Sequence, residues 1–154
     1  MDPAPTPYTA RQIREATSVG RRYEWRVETP SQVVRRVVTF TRVSAEHAEL
    51  QASVLDEQGA VLEASHSSQV TWEELRRHAE FPRSAVTIDE AKAEVPAGAF
   101  DCLRYTLTEG SGAEAETSTF YFAKTMPGAP VLFFTEKGGQ RVMTSTLVAY
   151  AGGG

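Results

Sequence analysis

The side chains of this chain that could do chemistry are few. There are three histidines, His47, His66 and His78, and one cysteine, Cys102, in 154 residues. The histidines show no metal-ligand spacing, and no cysteine or carboxylate cluster accompanies them. No metal and no cofactor are therefore expected. His47 falls in a turn and reads as solvated, while His78 closes a short helix, where the dipole favours a cation. His66 shares a strand parity with Leu62, Ala64 and Val70. It reads either as a hydrogen-bonded core histidine or as a polar group inside a ligand cavity, with a catalytic base as a third role. Cys102 lies between Asp101 and Leu103 with no local group to lower its pKa, so it reads as a small buried hydrophobe.

The remaining motifs are weaker. Glu73 and Glu74 are neighbours on a helix and point in different directions, and Glu74 has a capping role. The stretch Ser65–Ser68 lacks a G-x-S-x-G elbow. Gly110-Ser111-Gly112 has neither the Lys-Ser/Thr nor the helix that a phosphate loop needs. No catalytic residue is expected, and an enzyme working through His66 or Cys102 has no motif behind it. What the sequence does offer is aromatic surface. Tyr23, Trp25, His66, Phe120, Phe122 and Phe134 are the candidate ligand-binding residues, because ligand sites are mostly apolar with a few placed polar groups.

The elements that must carry these residues are strands. Arg22, Glu24, Arg26 and Glu28 alternate with Tyr23, Trp25 and Val27, so one face of the strand is wet and the other buried. Residues 32–43 are rich in β-branched side chains. Asp56–Gly59 reads as a hairpin turn between strands over 46–56 and 60–70. Further strands are expected over 85–95, with a bulge where the apolar parity slips between Ile88 and Val95, and over 99–109, 117–124, 130–136 and 140–150. Pro127-Gly128 reads as a type II turn. Two short helices are predicted from capping boxes, Thr9 with Gln12 and Thr71 with Glu74. The fold expected is mainly β: a curved antiparallel sheet or half-barrel of about eight or nine strands with one or two short helices packed on it. Residues 1–8 read as a flexible Pro-rich tail, 9–150 as one β-rich domain, and 151–154 as a disordered Gly tail.

Two later segments, Phe120-Tyr121-Phe122 and Leu132-Phe133-Phe134, are apolar on both parities. A sheet with one wet face does not need this. A helix, the curl of the sheet, a partner chain or an apolar ligand must cover the second face.

Charge narrows the partners. Asp and Glu outnumber Lys and Arg, 20 to 16, for a net charge of -4, and the doublets Arg21-Arg22, Arg35-Arg36 and Arg76-Arg77 have acids close by. That is not a nucleic-acid-binding face. No stretch is long and apolar enough to span a bilayer as a helix. A lone cysteine and a start without basic and apolar leader regions make a cytoplasmic protein the expectation. An exported or periplasmic protein whose leader has been removed is the alternative.

The run Val95-Pro96-Ala97-Gly98-Ala99-Phe100-Asp101-Cys102-Leu103-Arg104-Tyr105, with Phe120–Lys124 and Met126-Pro127-Gly128-Ala129-Pro130-Val131, resembles small bacterial β-rich domains of unknown function. Those domains are similar to the lipoprotein-carrier class (LolA- and LolB-like). The resemblance implies an antiparallel half-barrel wrapped on a helix, with an apolar concavity able to hold acyl chains. It carries over no functional residue. Two functions are thus expected: a non-catalytic domain binding a hydrophobic or lipid-like ligand, or a protein-interaction or structural module, as a homodimer or with another chain, whose partner covers the apolar face or a strand edge.

Overall fold

The computed structural model describes residues Asp2–Gly152. Nine strands form one antiparallel sheet: β1 (Arg22–Glu28), β2 (Val33–Val43), β3 (His47–Leu55), β4 (Val61–Thr71), β5 (Val86–Val95), β6 (Gly98–Glu109), β7 (Glu116–Ala123), β8 (Leu132–Lys137) and β9 (Gln140–Ala151). Their order across the sheet is β4-β3-β2-β1-β9-β8-β7-β6-β5. The chain therefore meanders out to one edge and crosses over. It then meanders back from the other edge until β9 pairs with β1. The crossing is made by α2 (Trp72–Arg77), and α1 (Ala10–Ala16) precedes β1 and packs beside α2.

Both helices start where their capping boxes place them. Thr9 and Gln12 bond reciprocally, as do Thr71 and Glu74. The helices are too short to be stable alone, so each is held by what it buries, Ile13 from α1 and Trp72 from α2. The Trp72 indole N–H also donates to the Ser44 carbonyl at 3.0 Å.

Curvature comes from irregular pairing. Register shifts lie between Glu24 and Trp25 against β9, between Phe40 and Arg42 against β3, and twice near Val54 against β4. Each adds twist and bends its strand. The bulge expected in 85–95 is absent: β5 pairs with β6 one to one from Val86 to Val95. The parity changes because the covered face changes along the strand. Near the hairpin tip the Ala97 N–H bonds to the Leu147 carbonyl and Phe100 meets Tyr150, so Ala93 is buried there, while Ile88 stays partly exposed. Pro127-Gly128 is likewise not the turn that closes β7. That turn is at Lys124-Thr125, where the Met126 N–H bonds to the Ala123 carbonyl. Gly128 has a φ of +148°, far from the roughly +80° of a type II turn.

The stretch expected to be a flexible tail is instead tied to the body over residues 2–8. Ala4 and Tyr8 are buried. The Ala4 N–H bonds to the Phe81 carbonyl, and the phenols of Tyr105 and Tyr8 donate to the carbonyls of Pro5 and Ala123. Proline's fixed φ holds this segment extended, which leaves its carbonyls free for such bonds. At the other end Ala151 completes β9 and the Gly152 carbonyl accepts from Ser18. The rest of the expected Gly tail, residues 153 and 154, lies outside the described residues, as does Met1.

Cys102 is fully buried, in register between Ala91 and Ala123, and burial raises its thiol pKa. Its reaction with an aromatic disulfide reagent should therefore run at the rate of unfolding and speed up in step with added urea. Rapid labelling of the native protein would contradict this burial.

Candidate functional site

Between the two helices and the concave face of the sheet lies a part-open cavity of about 470 Å³. Its floor is period-two logic made visible. Tyr23 and Trp25 reach it from β1, Val38 and Phe40 from β2, Phe120 and Phe122 from β7, and Phe133 from β8. Ile13 of α1, Thr17 at its C-cap, and Leu75, His78 and Ala79 around the end of α2 form the roof, and Gly128-Ala129-Pro130 forms one wall.

The aromatic side chains lock one another in place. Tyr23 stacks on Trp25 at 5.3 Å, and Phe120 stacks on Phe133 at 4.4 Å and on Phe81 at 5.1 Å. The Trp25 indole N–H donates to the Pro130 carbonyl at 3.2 Å, fixing the wall to the floor.

Of the six candidate residues, Tyr23, Trp25, Phe120 and Phe122 line the cavity. His66 and Phe134 do not. His66 shares a face with Ser68 and Val70, which do line it, but stands beyond them on the edge strand and is exposed. It is neither a core nor a cavity histidine. Phe134 points to the outer face, where the Arg141 guanidinium lies 3.8 Å from its ring centroid. Its neighbour Phe133 takes the inward position. On that outer face Tyr121, Leu132 and Phe134 are half-buried. Tyr121 packs near Phe134, and the Arg141 guanidinium lies over the Phe134 ring.

Sequence reasoning missed the roof and two basic residues. His78, expected only to close a helix, lines the cavity from the end of α2, and Arg36 lines it from β2. Arg36 shares parity with Val38 and Phe40, which is the signal that would have found it. His47 is half-buried rather than solvated, with its Nδ1 at 2.8 Å from the Ser44 hydroxyl.

Such a twisted sheet with a helical cover has solved counterparts. One is a candidate exported protein with a YmcC-like fold from Bacteroides fragilis. It superposes with a TM-score of 0.58 at 10% identity, over 88% of this chain and 97% of that one. Another is a candidate lipoprotein from Parabacteroides distasonis, with a TM-score of 0.54 at 9% identity, over 95% of this chain and 98% of that one. At these identities the likeness is one of fold. No protein-family model and no curated protein matches the sequence. The expected resemblance is thus met as far as a small β-rich domain, and these likenesses do not extend it to the lipoprotein-carrier class. Nothing in these likenesses supports a cytoplasmic location.

Electrostatics around the site follow from the strand parities. On the outer face Glu24 bridges Arg35 and Arg22, the latter at 3.2 Å. The bond from Arg35 holds the Glu24 carboxyl below its ordinary range, with Arg22 assisting. A depressed pKa stabilises the fold above the unfolded-state value of about 4.3, and the benefit is lost as pH falls through the folded-state value. Glu24→Gln should therefore lower the urea midpoint at neutral pH and leave it little changed in acid, flattening that part of the pH profile.

On the cavity side Arg21 is buried. It bonds to the Ala16 carbonyl and the Thr17 hydroxyl and lies over the Tyr23 ring. The end of α1 is a favourable place for a buried cation, since helix carbonyls point there. Burial pushes the Tyr23 phenol up to about 12, with Arg21 pulling the other way.

Proposed function

We propose that this protein is a non-catalytic carrier or binding domain whose concave face holds a hydrophobic, lipid-like molecule. The observation that carries the reading is the cavity itself. Its volume, about 470 Å³, falls in the range of small-molecule sites. Its floor is aromatic and aliphatic, with buried Tyr23 and Trp25 stacked on each other and half-buried Phe120 stacked on Phe133. A well-packed sheet-and-helix domain would fill such a space with side chains. The lipoprotein-carrier resemblance supports the same reading, and a candidate exported protein and a candidate lipoprotein of like fold make an extracytoplasmic site of action the better proposal.

Titration with a neutral solvatochromic dye such as Nile red tests it. Saturable binding at one site, weakened by Phe120→Asp, is expected. Absence of saturable binding, together with no lipid extracted from the purified protein, would overturn the reading.

A second reading, association through a strand edge, has its own observation. β4 is a sheet edge on which Val61 and Leu62 are 63% and 53% exposed. Sedimentation across a concentration series checks it. A concentration-dependent dimer lost in Leu62→Lys supports it, and a strict monomer removes it.

A further inference from the structure

We infer that the ligand of this cavity is an acidic amphiphile, an apolar chain ending in a carboxylate or comparable anion, whose head is met by Arg36. The inference rests on the binding reading above and adds the head group to it. It comes from how the two arginine doublets are split by the sheet. Arg22 and Arg35 point outward and share Glu24. Arg21 and Arg36 point to the cavity side, and among the described residues neither has a carboxylate partner. Arg21 is satisfied by neutral groups, a carbonyl, a hydroxyl and the Tyr23 ring. Arg36 lines the cavity with its guanidinium 5.7 Å from the Trp25 ring centroid.

Among the described residues no acidic side chain lines the cavity, although the chain as a whole is acidic. Two uncompensated cations beside low-dielectric aromatic walls make the local potential positive. Among the described residues the Arg36 guanidinium makes no side-chain hydrogen bond or ion pair besides its place over the indole, and its fork of N–H donors matches a carboxylate bidentately. Arg36 is exposed, so it can meet a head group at the mouth while the chain occupies the aromatic floor.

Dodecanoate, dodecanol and dodecyltrimethylammonium, which share one chain and differ in head charge, provide the test. Each displaces Nile red from the intact protein, and the inhibition constants are compared. Dodecanoate is expected to bind about tenfold or more tightly than dodecanol, with the ammonium compound weakest. Arg36→Gln should bring dodecanoate to the level of dodecanol, and Arg36→Glu should reverse the order of the two charged probes. Arg141→Gln, on the outer face, should change none of this. Equal binding of all three probes would overturn the inference and leave the hydrophobic reading intact. Failure of every probe and of the dye would remove both.

Discussion

Trp25→Ala should destabilise the protein by about 3–5 kcal/mol, a large share of the stability of an ordinary domain. Trp25 is 6% exposed, stacks on Tyr23, carries Arg36 on its face and ties the Gly128–Pro130 wall to the sheet through its N–H. Truncation removes aromatic area and releases the wall, and the cavity beside it offers no side chain to refill the gap. Urea unfolding followed by circular dichroism measures the loss. Trp25→Phe retains the stacking and gives up the indole N–H and some area. It should cost about 1–2 kcal/mol, since one hydrogen bond contributes about 1 kcal/mol. If the alanine variant lost no more than the phenylalanine one, the wall would have to collapse onto the site, and the cavity could not be preformed.

The inward positions of Trp25 and Tyr23 are legible because the strand carrying them alternates charged and apolar residues without interruption. The two helix starts were legible for a similarly local reason, since a capping box is a bond between residues three apart. The inward choice between Phe133 and Phe134 was not. Both parities of β8 are apolar, and the choice is decided by register: Phe133 pairs with and stacks on inward-facing Phe120, which leaves Phe134 to the outer face with Arg141. His66 shows the converse limit. Its parity placed it on the same face as Val70. Burial depends also on position along the strand: Val70 and Ser68 lie toward the end of β4 that runs into α2 and line the cavity, and His66 stands farther from it. The roof was hidden because α1 has only Ala10, Ile13 and Ala16 to mark an apolar side, and what those residues cover depends on a crossover connection. The N-terminal segment was misread for a related reason. Proline content reports backbone restriction, and a restricted strand docks on a surface as readily as it extends into solvent.

Gly128→Ala should cost about 2–5 kcal/mol through two separable effects. At φ +148° only glycine is comfortable, and forcing another residue there costs about 1–3 kcal/mol. A methyl group would also stand 2.9 Å from the Tyr23 hydroxyl and 3.9 Å from the Arg21 guanidinium. Tyr23 cannot yield easily, because it is stacked on Trp25 and lies beneath buried Arg21, so the crowding adds about 1–3 kcal/mol. Gly59→Ala isolates the first effect. It has φ +87° in an exposed hairpin turn with no atom within 4 Å of the new methyl, and should cost about 1–2 kcal/mol. Tyr23→Phe isolates the second, since it deletes the oxygen that the methyl meets. In that background the cost of Gly128→Ala should fall toward the Gly59 value, giving a coupling of about 1 kcal/mol or more in a double-mutant cycle. Additive costs would mean that Tyr23 moves freely. The floor and wall of the cavity would then be soft, and a ligand would have to order them on binding.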